Sequence, residues 1–449
     1  MPFGIYSNGT TGTNSITNDA GGTISGDNGI VLASATTVDN GGTISGAGTA
    51  GTGVHLAQTS MVTNSGSIIG GSGGTGVHFG NGGTVVNNAG ASIRSGGIGI
   101  NVLGAAATIT NGGTISSGSG YAAIYLDMGG SLTNNSGATI TGGGAGIDVR
   151  GAAGTIDNHG TINAGNAAGI MLSAGGTATN HATINATGNA SSGLRSTGLA
   201  STLDNRGTIT ANIGIRTDAS GSTLSNSGTI NATSFGIYVP SGSATVFNSG
   251  SVNGSVGATM NGGGSITNTG SLIGVSYGIT SAGAATTVVN DGTISGGSGA
   301  ISLSTFNDTV TLNSGSTTIG SISLGNGNDT INIMTGATFG TLAGGNGTDT
   351  VVLGGPTTGT LNLATVTSFE ILDKVGTGTW TLSGAAASPA MAITAGDGTP
   401  SGTLAFSGTG LTGTIKVNGA TIRALGAGAF GTGTITAIDP TIQFAATGS

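Results

Sequence analysis

The fold this sequence predicts is all-β: a right-handed parallel β-helix, or β-solenoid, with about three short strands per coil of about 23 residues. Three observations carry that prediction. An apolar residue, any residue and then Asn recurs at a near-constant interval over two thirds of the chain. Each interval holds short alternating apolar runs punctuated by Gly, Asn and Ser, the pattern of strands and turns. Helix-forming residues are scarce, with one Glu and two Lys in the whole chain.

The recurrent pair occurs at Ile16/Asn18, Val38/Asn40, Val62/Asn64, Val86/Asn88, Ile109/Asn111, Leu132/Asn134 and Ile156/Asn158. It continues at Ala178/Asn180, Leu203/Asn205, Leu224/Asn226, Val246/Asn248, Ile266/Asn268 and Val288/Asn290. A period of this length signals a solenoid or an array. Stacked coils lie about 4.8 Å apart, so thirteen would make a rod on the order of 60 Å long.

Alternation assigns the faces. The apolar residue and the Asn two positions on share a face and point inward, so the thirteen Asn residues are expected to form an internal ladder at one corner. A buried amide left unpaired costs roughly 1–3 kcal/mol, which favours pairing between coils. The second strand, G-T-I-x, places Ile24, Ile44, Ile68, Ile93, Ile115, Ile140, Ile162, Ile184, Ile209, Ile230, Val252, Leu272 and Ile294 inside. The third strand, G-I-x-L, buries pairs such as Ile30/Leu32, Val54/Leu56, Val77/Phe79 and Ile170/Leu172.

Composition excludes several classes. The chain has 449 residues, 95 Gly, 6 Pro, no Cys and 5% charged residues. Collagen fails for want of a Gly-X-Y period, and disorder fails against the wealth of Thr, Ile and Val. A net charge of −8 with eight Lys plus Arg gives no basic footprint for nucleic acid. Without Cys there are no disulfides or thiolate metal sites, as suits a chain that crosses an oxidising compartment unfolded. No run of about 18 apolar residues is present, so no helical membrane span is expected. The start, MPFGIYSNGT, lacks the pattern of a signal peptide, and Met1 is read as opening a fragment.

Side-chain chemistry concentrates in one column, the outward position of the third strand, which is expected to be exposed. It runs Val31, His55, His78, Asn101, Tyr125, Asp148, Met171, Arg195, Arg216, Tyr238, Thr259, Thr280, Ser302, flanked by Asp127, Arg150 and Asp218. His55, His78, Tyr125, Asp148, Arg195, Arg216 and Tyr238 are the candidate binding residues. The alternative is an exposed column that tolerates any side chain. Tyr125 and Tyr238 could stack a sugar ring or a peptide, but lie about five coils apart and form no single subsite.

No catalytic residues are assigned and the chain is read as non-enzymatic. A polysaccharide lyase or hydrolase needs paired carboxylates, and the best cluster, Asp127, Asp148 and Arg150, is matched by a surface ion-pair ladder. His55 and His78 lie one coil apart but show no third metal ligand, so no metal is expected there. Outward pairs such as Thr43/Ser45, Thr139/Thr141 and Thr208/Thr210 suit an ice-binding face, which Ile69, Arg94 and Ile273 interrupt. Thr is also a good exposed strand former.

After residue 303 the repeat changes to Asn307-Asp308-Thr309-Val310, Asn328-Asp329-Thr330-Ile331 and Thr348-Asp349-Thr350-Val351. The segments GNGND and GGNGTD resemble the nonapeptide of calcium-binding RTX repeats. That resemblance implies calcium near Asp308, Asp329 and Asp349, but the copies here lie a full coil apart, and an Asx-turned corner fits better. No cofactor is otherwise expected.

Residues 369–384 read FEILDKVGTGTWTLSG and 419–436 read GATIRALGAGAFGTGTIT. Together these resemble the autotransporter-associated β-strand repeat in passenger regions of type V secreted bacterial proteins. Lys374, Gly376, Gly378, Trp380, Leu382 and Gly384 carry the first part, and Gly428, Phe430, Gly431 and Gly433 the second. The resemblance covers about residues 366–449. It implies a translocator β-barrel beyond the C-terminus and a signal peptide before the N-terminus, neither within this sequence. It also implies an extracellular or outer-membrane location, with a surface glycan, a protein or self-association as partner.

Three segments are therefore expected: coils with N-x-G-T-I over 1–303, coils with N/T-D-T-V/I over 304–365, and the autotransporter-like repeat with C-terminal coils over 366–449. Residues 404–444, with Phe406, Phe430 and Phe444, are expected to pack well and guard that end. The exposed strand edges of the first coil raise end-to-end stacking. The functional expectation is a non-catalytic adhesin or scaffold. The alternatives are a carbohydrate-active enzyme and an ice-binding or filament-forming protein.

Overall fold

A computed structural model describes residues 3–396 and 402–445. The chain is all-β with about 1% helix, and its parallel strands stack into a β-solenoid of about 20 turns with coils of roughly 22 residues. It divides into two compact units, Met1–Tyr238 and Val239–Ser449.

A coil near the middle of the first unit shows the plan. Its strands are Gly154–Asn158, Thr161–Ala164 and Ile170–Leu172. Each pairs in parallel with its counterpart one coil before and one coil after. In register, Leu132, Ile156 and Ala178 share one inner row, and Ile140, Ile162 and Ile184 another. The second-strand row is fully buried from Ile44 to Ile294, while Ile24, in the first complete coil, is half-buried. Full burial of each such side chain contributes about 1.5–3 kcal/mol, repeated coil after coil.

Glycine opens the third strand because the second strand crowds that spot. A Cβ on Gly169 would collide with Ile184 Cγ2 and come within 2.7 Å of Gly193 O. The Gly-Ile pair of G-I-x-L is thus a steric requirement between neighbouring coils.

The expected amide ladder is present. In the first unit it runs Asn18, Asn40, Asn64, Asn87, Asn111, Asn134, Asn158, Asn180, Asn205, Asn226, each Nδ2 donating to the next Oδ1 at 2.7–2.8 Å. In the second unit Asn248 donates to Asn268 and Asn268 to Asn290. Many of these amides also bond the backbone at the same corner, as Asn158 does with Gly160 O at 3.1 Å. One member differs from the sequence expectation. Asn88 is not in the ladder; its neighbour Asn87 is, and Asn88 points outward to Ser65 Oγ at 2.8 Å. Val85-Val86-Asn87-Asn88 satisfies the pattern in two registers, and pairing of Gly83 with Ser60 and of Val85 with Val62 selects the other one.

In the second unit the ladder stops at Asn290, because Leu312 occupies its place one coil on. Asn290 Nδ2 instead reaches Thr318 Oγ1 at 3.4 Å. A second polar row then starts at a different corner. The Thr286 N–H donates to Asp308 Oδ1 at 2.6 Å, the Asp308 N–H to Asp329 Oδ1 at 2.7 Å, and the Asp329 N–H to Asp349 Oδ1 at 2.9 Å. The Asp349 N–H donates to Glu370 Oε2 at 2.8 Å. These bonds join successive coils, so the local Asx-turned corner expected from sequence is corrected to an inter-coil carboxylate row. Burial pushes the carboxyls of Asp329 and Asp349 up from the usual range, and that of Asp308 up to about 6.

The plan simplifies towards the C-terminal end. A five-stranded parallel sheet forms from Thr358–Asn362, Thr379–Ser383, Thr403–Ser407, Thr421–Ala424 and Thr441–Phe444. It faces the continued first-strand sheet, which includes Ile371–Lys374, Ala392–Ala395 and Ile415–Asn418. Trp380 is buried here and its indole N–H donates to Gly354 O at 2.9 Å. Lys374 is buried as well; its ammonium donates to Val375 O and Gly376 O, both at 2.8 Å. Burial lowers its pKa.

The expectation that Phe406, Phe430 and Phe444 together close this end is corrected in part. Phe406 is fully buried and meets Phe430 edge-on at 5.1 Å. Phe444 is 77% exposed. It lies on Thr441–Phe444, a strand exposed at every residue and paired, among the described residues, on the Thr421–Ala424 side alone; Ile442 on that strand is exposed too.

Candidate functional site

The third-strand column of the first unit is aligned as its spacing requires. Successive register partners are Tyr6, Val31, His55, His78, Asn101, Tyr125, Asp148, Met171, Arg195, Arg216 and Tyr238. Tyr6 extends the column by one coil beyond the sequence expectation. In the second unit Thr259, Thr280 and Ser302 align likewise.

The column is less exposed than alternation alone suggests. Most members are half-buried, and Asp148 is only 5% exposed. Side chains stacked at the strand spacing shield one another, and the Arg150 guanidinium lies against the Asp148 carboxylate. Arg150 Nε and Nη2 both donate to Asp148 Oδ2, at 3.1 and 2.8 Å. The same guanidinium sits 5.2 Å from the centre of the Tyr125 ring, and the Tyr125 hydroxyl donates to Asp127 Oδ1 at 3.1 Å. The hydrogen bond and charge of Asp148 raise the Arg150 pKa, while burial and the bond to Asp127 raise that of Tyr125. Asp148 Oδ1 is covered and accepts no hydrogen bond among the described residues.

A related cluster lies at the high-numbered end of the column. Arg216 Nη2 donates to Asp218 Oδ1 at 2.8 Å and its guanidinium sits 5.4 Å from the Tyr238 ring centre. Arg195 reaches the same Asp218 at 3.2 Å, and Phe235 stacks on Tyr238 with ring centres 4.5 Å apart. The middle of the column and its high-numbered end thus each bring together a tyrosine ring, an arginine across it and a carboxylate fixing that arginine.

His55 and His78 meet edge-on with ring centres 4.6 Å apart, and Asn101 Nδ2 lies 3.2 Å from His78 Nδ1. Burial, then the neighbouring His55, lowers the His78 pKa to about 4, and burial lowers that of His55. The structure therefore brings the seven candidates into one column but into three groups: His55 with His78, Tyr125 with Asp148, and Arg195 with Arg216 and Tyr238. Met171 separates the last two.

A group outside the column was missed in the sequence. Asp157, His159 and His181 meet at the corner following the amide ladder, with their ligand-type atoms within 4.8 Å of one another. The signal was legible: the residue after each ladder Asn faces outward, and His159 and His181 hold that position on adjacent coils.

Elsewhere the surface offers shallow grooves, such as one of about 280 Å³ bordered by Thr187, Asn189, Thr210, Asn212 and Thr233. Among the described residues, no helix is long and apolar enough to cross a membrane. Comparison with protein-family models, with curated proteins and with solved structures finds no match to this chain.

Proposed function

We propose that the chain is a non-catalytic adhesive scaffold of the passenger type, displayed outside the cell, that binds an extended glycan or peptide along its third-strand column. The observation that carries this reading is the register of that column. It sets two Tyr–Arg–Asp clusters, at Tyr125/Arg150/Asp148 and Tyr238/Arg216/Asp218, on one face of the same unit. With a guanidinium across each ring, the tyrosines offer their edges to a sugar or a peptide, and the salt-bridged guanidiniums keep donors for carbonyls and hydroxyls. An extended ligand spans coils by repetition and needs no deep pocket. The resemblance of residues 366–449 to the autotransporter-associated repeat supports secretion by that route.

Replacing Tyr125, Arg150, Arg216 and Tyr238 together by Ser tests the reading. Binding to a panel of cells and immobilised glycans should fall while the circular dichroism spectrum is kept. Unchanged binding, or release of oligosaccharides that Asp148→Ala abolishes, would sink it in favour of no role or of an enzyme.

A second reading has its own observation. The first-strand sheet carries an outward row of Thr84, Thr108, Ser131, Thr155, Thr177, Thr202 and Thr223 in register. Such a row of hydroxyls and methyls suits ordered water, and thermal hysteresis in a cooled solution of the protein would reveal ice binding.

A further inference from the structure

The corner that follows the amide ladder carries histidine in two adjacent coils. There, His159 and His181 succeed Asn158 and Asn180, and Asp157 precedes the first of them on the same outer surface. The backbone fixes all three. The His159 N–H donates to Asn134 O and the His181 N–H to Asn158 O, both at 2.8 Å, and Asp157 is held in register between Thr133 and Thr179.

The two imidazoles stack almost parallel, 5° apart with centres at 4.4 Å. Both direct Nε2 at the one carboxylate. His159 Nε2 lies 3.0 Å from Asp157 Oδ2 and His181 Nε2 lies 3.2 Å from Asp157 Oδ1. The second contact is not an aligned hydrogen bond, and Asp157 Oδ1 is covered without a hydrogen-bond partner among the described residues. Metal ligands at about 2.0–2.1 Å in tetrahedral array stand about 3.4 Å apart. The three groups already approach that spacing on a rigid corner. The next coil carries Arg206 at the corresponding position, but Asp204 holds it at 2.7 Å.

We propose that Asp157, His159 and His181 form a site for one divalent transition-metal ion of the Zn²⁺, Ni²⁺, Cu²⁺ or Co²⁺ kind. Two imidazole nitrogens and one carboxylate oxygen suit these ions, whereas Ca²⁺ and Mg²⁺ take all-oxygen shells. The side chains are 41%, 43% and 29% exposed for Asp157, His159 and His181. The remaining coordination positions therefore open to solvent, where water or a donor from another molecule completes the shell. The site lies off the third-strand column, so it is independent of the adhesive reading.

The test is titration of the full chain, first stripped with a chelator, by Zn²⁺ alone in a calorimeter, repeated with Cu²⁺ and read by electron paramagnetic resonance. One equivalent per chain should bind, with nitrogen hyperfine structure in the copper spectrum. His159→Ala, His181→Ala and Asp157→Asn should each weaken binding by at least about tenfold while leaving the far-ultraviolet spectrum unchanged. His159→Gln and His181→Gln are made alongside, so that a folded chain short of a ligand is in hand. Binding of no ion at millimolar concentration, or the same affinity in all the variants, overturns the assignment. Binding that survives these changes and disappears in the double variant His55→Ala/His78→Ala also overturns it, placing the ion on the other histidine pair.

Discussion

The backbone N–H of Asp308 donates to Oδ1 of Asp329 at 2.7 Å, one coil further along the chain. Both carboxyls are buried, and Asp329 Oδ2 has no hydrogen-bond partner among the described residues. One oxygen of Asp329 is therefore used as an acceptor, while burial favours the neutral acid. The folded pKa of Asp308 is raised from 3.8 to about 6. Folding takes up a proton there, so this contribution is fully present below pH 3.8 and is lost as pH rises through about 6. Asp308→Asn keeps the acceptor for the Thr286 N–H and removes the charge. It should stabilise the chain at pH 7 by on the order of 2 kcal/mol and leave stability at pH 4 little changed, as urea melts at the two pH values would show. Equal effects at both would refute the assignment.

His78 shifts the balance the other way. Its folded pKa is lowered from 6.5 to about 4, so the neutral ring is favoured in the fold. Its contribution is present above pH 6.5 and is lost as pH falls through about 4. The ring resonances of His78 should titrate well below those of a free histidine in an NMR series. His78→Asn should remove part of the acid sensitivity between pH 6 and 4.

Asn158 and Asn88 are the same residue type in opposite roles. Asn158→Ala leaves Asn134 Nδ2 without its acceptor and Asn180 Oδ1 without its donor. The expected loss is about 2–4 kcal/mol from the unpaired amides. Asn88→Ala removes one exposed bond to Ser65 and should change stability by less than about 0.5 kcal/mol. Denaturant midpoints compare the two, and a large effect at Asn88 would return the ladder to the other register.

Lys374→Met keeps the apolar stem and removes the donor from Val375 O and Gly376 O. Stability at pH 7 should fall by about 1–3 kcal/mol. Because the folded pKa of Lys374 is lowered, wild-type stability should rise as pH climbs towards 10.5, a rise the variant lacks. Melting temperatures across pH 7–10 measure both effects.

Most of the fold was legible because one rule, alternation within a strand, repeats in every coil. The rows of Ile156, Ile162 and Ile170 follow from it, as does the alignment of His55 with His78. Legibility failed where the rule is degenerate or silent. Two adjacent Val–Asn frames at Val85 to Asn88 cannot be ranked without the turn at Gly83. The Asp308 row was read as a local turn because sequence spacing does not say whether an acceptor serves its own coil or its neighbour. Phe444 was read as core because alternation assigns a face and does not say whether a further strand covers it. For the candidate site, the column was legible and its chemistry was not. Arg150 over Tyr125 and the meeting of Asp157 with His181 depend on how long side chains bend across strands.

The amide ladder of the first unit also has a direction. Each Nδ2 from Asn18 to Asn205 donates towards the higher-numbered coil, so each of these coils offers a hydrogen on one side and an oxygen on the other. Coils joined in this way are interchangeable parts with a fixed polarity. Excising the segment from His159 to Asn180 would bring Asn158 against Asn205 with donor and acceptor still matched, and would shorten the solenoid by one turn. Successive ladder residues of this unit stand 21 to 25 positions apart, so the turns take up single-residue differences and the ladder keeps its polarity whatever the length of a coil.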